Sequence, residues 1–455
     1  MNGFSPALQK PLSMGRREFL RKLGVTTIGA AGITGIIGPF EHARAAISPG
    51  ERGLRISGMA VATVQGLNAT SRIVRLETNK GISGYGECRV EDTNSGTELA
   101  TCKPIVIGMN PTQIDKVFTA ITSALNPTAD WTGITRASGA IAAIECACWD
   151  ITGKVYNMPI WKLLGPKLRD GMRLYSDMWT ETNPSVLETE IDRRLRMGFT
   201  WFKADLNGIL DSNDFFPSPH SNPYSASGGT AMRIRESGYD KWRNYTSRIR
   251  KKIGDAPLSV DHFFNWSPSG SGSQLDVASA IELSEILGEP EHVDKSLGGW
   301  MEDIIPWHYY DELAEINAGT DMQICTGEDI FGIELAKELI EAKTINYFHP
   351  DPCTFGGIHQ TRLAAMWAHS RGVKTVFHQS NGPVAMMMCA HIAAGIPEFL
   401  ACEHHYSEIG WYDSLIDGIP KPMMGDDGYV QIPDRPGLGI TPNREAIAAH
   451  GTWFQ

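Results

Sequence analysis

Four segments, QICTGED (323–329), INYFHPD (345–351), KTVFHQS (374–380) and FLACEHH (399–405), repeat one pattern: a short apolar run that ends on polar residues. Working backwards, WMEDIIP (300–306), PLSVDHF (257–263), TWFKADL (200–206) and MRLYSDMW (172–179) follow it too. Apolar residues at helical spacing fill several of the gaps, as in 275–288 and 333–342. Strand and helix therefore alternate eight times in steps of similar length. This predicts an α/β protein built on a (β/α)8 TIM barrel rather than a large doubly wound sheet. Two connections are long: 207–245, rich in Ser, Pro, Asn and Gly, and 289–299. Both leave strands on the side where barrel sites form, so they read as lids or specificity loops.

Upstream the pattern differs. Residues 54–93 read as β structure: 73–78 alternates, Asn79-Lys80-Gly81 turns, and Gly84-Tyr85-Gly86-Glu87-Cys88 follows. Residues 98–127 and 136–158 have helical periodicity, the second through Ile141, Ile144, Cys148, Ile151 and Val155. The expected organisation is an α+β unit over 54–165, a barrel over 170–405, and a closing segment over 406–455. A chain of 455 residues has room for both.

Polar residues mark the strand ends. Asp261, Glu302, Glu328, Asp351, His378 and Glu403 end the third to eighth strands, and Lys203 and Asp205 lie on the second. Singly, such residues often cap the next helix. In register around a barrel they would share one mouth. Asp261, Glu302 and Glu328 facing one point could not all ionise without a cation, and hard oxygen donors suit Mg2+, with Mn2+ as the alternative. His262 should turn away from the ligands, as packing or outer support. Lys203 and Asp205, two apart on a strand, should both point inward. They read either as a buried ion pair or as a base or substrate contact; Asp205 should raise the Lys203 pKa and make it an electrostatic partner more than a base. Asp351 and His378 read as a dyad in which the carboxylate sets the imidazole tautomer. His404 and His405 follow at the last exit, and His349 sits one position off this register.

The charge of −11 disfavours nucleic acid and anionic membranes as partners. Residues 1–45 run the other way, with Lys10, Arg16, Arg17, Arg21, Lys22 and Arg44 against Glu18 and Glu41. Arg16-Arg17-Glu18-Phe19-Leu20, a mildly apolar run to Phe40 and Ala43-Arg44-Ala45 describe a twin-arginine signal peptide. A retained anchor is the alternative, weakened by the Gly- and Thr-rich run; the expected location is the periplasm, without stable membrane insertion. The eight cysteines lie in apolar segments without a CxxC pair and read as small buried residues.

Further residues carry a resemblance. Gly84-Tyr85-Gly86-Glu87, Ala147-Cys148-Trp149-Asp150-Ile151-Thr152-Gly153-Lys154, Leu163-Leu164-Gly165, Asp351 with Gly356-Gly357-Ile358, and the closing 428–434 and 436–439 motifs resemble the mandelate racemase and muconate lactonizing branch of the enolase superfamily over residues 54–445. The resemblance implies a capping domain made from both chain ends, a modified (β/α)7β barrel, Mg2+ on Asp261, Glu302 and Glu328, the Asp351–His378 dyad, and Glu403 as a hydrogen-bond donor to an enediolate. It also suggests dimers or octamers. Racemases of this branch resemble one another in a Lys-x-Lys strand where this chain has Lys203-Ala204-Asp205, which puts a second base in doubt. Dehydration of a sugar acid to a 2-keto-3-deoxy acid is therefore expected, by loss of the proton beside the carboxylate. Racemisation, epimerisation or cycloisomerisation is the alternative. A non-catalytic sugar-acid-binding protein is the reading from another class. Specificity is expected from 62–72, 89–97 and the 207–245 insertion.

Overall fold

The strand β1 (Ile56–Val64) pairs antiparallel with β2 (Ser71–Thr78), and β2 with β3 (Ser83–Cys88). The computed structural model describes residues 51–67, 70–88, 95–125, 138–178, 180–206, 208–221, 230–261, 275–288, 299–405 and 407–455. The leader 1–45, His262, and parts of 62–72, 89–97, 207–245 and 289–299 lie outside them. Residues 53–455 make one compact unit.

Helix Ser138–Tyr156 packs on this sheet and is buried on nearly every side. Its Ala, Ile and Cys residues permit that, and its buried Glu145 and Asp150 find partners inside the protein. Gly84 and Gly86 let β3 approach it, since a Cβ on either would overlap the carbonyl oxygens of Ala147 and Ala143. The helical stretch expected over 98–127 is two helices, Ser95–Val106 and Ile114–Leu125. Between them Gly108 adopts φ +89° and Ile56 N–H donates to the Met109 carbonyl at 2.8 Å, so the turn is held to β1.

The barrel strands are β4 (Gly171–Met178), β5 (Phe202–Asp205), β8 (Leu258–Asp261), β9 (Trp300–Glu302), β10 (Gln323–Thr326), β11 (Tyr347–Phe348), β12 (Lys374–Phe377) and β13 (Phe399–His404), with β6 (Phe215–Ser221) and β7 (Thr230–Ile234) as a hairpin after β5. Neighbours are parallel and in chain order, and β13 closes on β4 with Glu403 opposite Tyr175. Helices follow the first seven barrel strands, but β13 leads into a single 3-10 turn, Tyr412–Leu415. The barrel is thus of the (β/α)7β kind.

The insertion is shorter than 207–245 suggests, because helix Glu236–Ile253 takes its last part. The β6–β7 hairpin is fastened to the helix that follows β8. Asp276, the cap of that helix, accepts from Ser218 Oγ and Arg233 Nε at 2.8 Å and from Ser279 N–H at 2.9 Å.

After β13 the chain divides its pairing. A ribbon joins β14 (Ile416–Asp417) to β16 (Thr441–Pro442), β15 (Tyr429–Gln431) adds to the outside of β4, and β17 (Gly451–Thr452) pairs with β1. The closing segment therefore serves the barrel as well as the N-terminal sheet, because Gly428 at φ +80° turns it onto β4 first.

Three buried carboxylates tie these layers together. Glu87 accepts from Gly382 and Ala385 N–H, both at 2.8 Å, at the start of helix Pro383–Ala393. Glu145 accepts from Ile358 N–H (2.9 Å) and His359 N–H (3.0 Å) at the start of helix Ile358–Ser370. Asp150 accepts from Tyr85 N–H (3.0 Å) and Leu438 N–H (2.8 Å) and pairs with Lys154 (2.6 Å). Helix N-termini favour the negative charge of Glu87 and Glu145, and apart from the Asp150–Lys154 pair inside one helix each contact joins separate elements. All eight cysteines are buried.

Candidate active site

The barrel floor comes first. Tyr175, Trp201, Trp300, Cys325, Tyr347, Val376 and Ala401 form an apolar layer inside the barrel. Trp300 packs edge-on to Tyr175 at 5.1 Å between ring centroids and 5.0 Å from Trp201, arrangements aromatic quadrupoles favour. The floor keeps water out from below, so charges above it interact across a poorly screened space.

Side chains two residues further along the strands form the next layer. Lys203 Nζ stands at its centre, 2.8 Å from Glu302 Oε1, 2.5 Å from Glu403 Oε1, 3.4 Å from Asp261 Oδ2 and 3.7 Å from Asp177 Oδ1. Burial works against the ammonium, but Glu302 and Glu403 outweigh it and hold its pKa well above that of a free lysine. Asp205 is not among these partners. Side chains two apart on a strand run side by side, and Lys203 reaches across the barrel instead. Glu302 and Glu403 thus contribute most to its retained charge, and Asp205 interacts with it without forming an ion pair.

Asp261, Glu302 and Glu328 each present a carboxylate oxygen, all within 4.8 Å of one another. Trp300 Nε1 donates to Glu302 Oε2 at 2.8 Å and orients it. Burial and the facing carboxylates Asp329, Asp303, Asp261 and Glu302 push the Glu328 pKa well up. Asp303 rises through burial and through Asp261 and Glu302, and Asp205 through burial and through Asp177 and Asp261. One lysine does not balance this negative charge. A hard, all-oxygen donor set with surplus charge fits a divalent cation with water completing its shell. Two other trios, Glu302–Cys325–His349 and His378–Glu403–His405, contain softer nitrogen or sulfur donors.

Opposite stands His378. Its Nδ1 is 2.8 Å from Asp351 Oδ2, and its Nε2 lies 3.3 Å from Glu328 Oε2 and 3.5 Å from Glu403 Oε2. Asp351 also accepts from Cys353 N–H (2.7 Å) and Asn381 Nδ2 (3.1 Å), so its orientation is fixed. With Asp351 accepting at Nδ1, the second ring nitrogen opens onto the carboxylate layer.

Glu403 differs from the donor expected. Burial would raise its pKa, but Lys203, His405 and His378 hold it well below the carboxylate range. It is an ionised acceptor here.

Four neighbours went unassigned in the sequence. Asp177 faces Lys203 from β4, in register with it. Tyr175 Oη lies 2.9 Å from His349 Nε2, and His349 Nδ1 is 3.5 Å from Glu302 Oε1. Burial keeps His349 neutral by lowering its pKa well below the usual value. It is off the register of the strand ends yet inside the barrel, because 347, 349 and 351 alternate inward. His405 sits between Glu403 Oε1 (3.2 Å) and Asp177 Oδ2 (3.3 Å). The i, i+2 alternation through Tyr175–Asp177 and Glu403–His405 was the available signal. His404 turns outward onto Phe199 and Tyr412, where burial lowers its pKa to about 3.

Known proteins agree with this architecture. Residues 187–446 match the family described as enolase C-terminal domain-like, and residues 45–165 match the mandelate racemase/muconate lactonizing enzyme N-terminal domain. The chain belongs to this branch of the enolase superfamily, whose members use a divalent metal. It is 27% identical over 405 residues to the D-xylonate dehydratase of Haloferax volcanii, covering 88% of this chain and 90% of that one. It is 25% identical over 414 residues to a D-galactonate dehydratase family member of Cellvibrio japonicus, covering 87% and 94%. Among solved structures, a mandelate racemase/muconate lactonizing enzyme-like protein from Rubrobacter xylanophilus superposes with TM-score 0.72 at 20% identity over 88% of this chain and 98% of that one. The 3,6-anhydro-D-galactonate cycloisomerase of Zobellia galactanivorans gives 0.70 at 19% identity, over 88% and 100%. These two likenesses concern the fold.

Proposed function

We propose that this protein is a Mg2+-dependent hydro-lyase that dehydrates a sugar acid to a 2-keto-3-deoxy acid. The observation that carries the reading is the Asp351–His378 pair facing Asp261, Glu302 and Glu328 across a buried Lys203. Dehydratase names among the relatives supply the substrate class. A proton beside a carboxylate is very weakly acidic, so its removal requires a positioned base and concentrated positive charge. Asp261, Glu302 and Glu328 would hold the ion, which supplies the positive charge that stabilises an enediolate. His378 Nε2 takes the α-proton, with Asp351 supporting the imidazolium that forms. Lys203, kept charged by its carboxylate partners, adds a fixed positive charge beside the ligands.

A panel of aldonates and aldarates with Mg2+, assayed for 2-keto acid, tests this. No product from any member refutes it. Exchange of the α-proton for deuterium without 2-keto acid would instead support racemisation, epimerisation or cycloisomerisation, and ligand binding with neither would support a binding protein.

Residues 1–45 are proposed as a twin-arginine export signal and the periplasm as the working compartment. Replacing Arg16 and Arg17 by Lys should leave the protein in the cytoplasmic fraction. The N-terminal unit is proposed to cap the barrel mouth, and the protein to work as a homo-oligomer, as size-exclusion chromatography would report.

A further inference from the structure

Two imidazoles face this mouth. The His378 and His405 rings stand 5.8 Å apart between centroids, nearly edge to face. Glu403 lies between them, with Oε2 3.5 Å from His378 Nε2 and Oε1 3.2 Å from His405 Nε2. Loss of a β-hydroxyl needs a proton as well as a base, because hydroxide is a poor leaving group. Lys203 Nζ is enclosed by Glu302 at 2.8 Å and Glu403 at 2.5 Å, whereas the His405 ring stands at the edge of the carboxylate layer.

We propose that His405 is a catalytic residue of the dehydration, donating the proton with which the β-hydroxyl leaves, while His378 takes the α-proton. This rests on the dehydratase reading above and assigns the second half of its chemistry. His405 keeps 14% of its side chain exposed at the mouth. Burial and the Lys203 charge oppose its protonation, but Asp177 and Glu403 outweigh them and raise its pKa. Neither carboxylate belongs to the proposed ligand set.

The steps balance. The Cα–H bond breaks, its electron pair stays on the substrate as an enediolate, and the proton goes to His378. That pair then forms the Cα=Cβ bond as the Cβ–O bond breaks, and the departing oxygen takes the His405 proton and leaves as water. Ketonisation moves the enol proton to His405 and the His378 proton to Cβ, so both rings are reset without an oxidant.

The test uses the full chain with Mg2+ in D2O. His405→Asn and His405→Gln should cut 2-keto acid formation by about 10²- to 10⁴-fold. They should still exchange the substrate α-proton for deuterium, which also reports a folded site. A 3-deoxy-3-fluoro analogue of the accepted acid should still lose fluoride at close to the wild-type rate, since fluoride leaves without a proton donor. His378→Asn should lose exchange, dehydration and fluoride loss together. Wild-type dehydration in the His405 variants overturns the assignment, and so does loss of exchange and fluoride release along with it. Absence of 2-keto acid from the wild-type protein refutes the dehydratase reading itself, a different result from either.

Discussion

Replacing Lys203 with Met removes the ammonium at the centre of the carboxylate layer, and the cost can be worked out from its surroundings. Glu302 Oε1 at 2.8 Å and Glu403 Oε1 at 2.5 Å are the close partners, both fully buried. At an effective dielectric of about 20, each contact is a gross attraction of about 6 kcal/mol, largely cancelled by desolvation. The net loss is bounded because a stranded carboxylate can take up a proton. Holding a glutamate protonated costs about 1.4 kcal/mol for each pH unit above about 4.3, hence about 3.7 kcal/mol at pH 7 and about 1 kcal/mol at pH 5. Without divalent metal, Lys203→Met should therefore be destabilised by about 3–4 kcal/mol at pH 7, and most of that loss should vanish at pH 5. Chemical denaturation in EDTA at both pH values measures it. A loss below about 1 kcal/mol at pH 7, or one of equal size at both pH values, refutes the electrostatic account of the layer.

Three further outcomes are expected. Mg2+ should raise the melting temperature of the wild-type protein, and Asp261→Asn or Glu328→Gln should shrink that shift in thermal denaturation with and without metal. His378→Asn should lower kcat for 2-keto acid formation by about 10²- to 10⁴-fold with an unchanged melting temperature, as steady-state assay and calorimetry would report. Burial raises the pKa of Glu145 to about 7, above the ~4.3 of an unfolded glutamate, against the pull of the His359 and Ile358 N–H groups. Its stabilising contribution is therefore complete below about pH 4.3 and lost as pH rises through about 7. The stability of wild type minus Glu145→Gln should fall by about 4 kcal/mol over that interval and then level off, seen in denaturant titrations at several pH values.

The barrel was legible because each strand is short, apolar and followed by a helix of regular spacing, a pattern few other architectures share. The ends of those strands were legible for the same reason, and Asp261, Glu302, Glu328, Asp351, His378 and Glu403 do meet in one layer. The pairing of charges was not. Which carboxylates Lys203 touches depends on reach across a closed barrel, and the adjacency of Asp205 in sequence does not contain that reach. Asp177 and the inward turn of His349 do not show at the strand ends, because the inward layer is set by alternation along each strand. The protonation of Glu403 was a matter of summed fields from Lys203, His405 and His378, which spacing does not contain. The break at Gly108 and the division of the closing segment depend on single glycine turns inside otherwise periodic stretches.

The pairing of Thr63 with Thr452 and Val64 with Gly451 has a consequence for the order of events during synthesis. Until those late residues leave the ribosome, β1 is an open edge with unsatisfied backbone groups, ready to pair with the wrong strand. Contacts so distant in sequence also form slowly, since a very long loop must close first. Completion of the N-terminal sheet thus reports that the whole barrel between has been made.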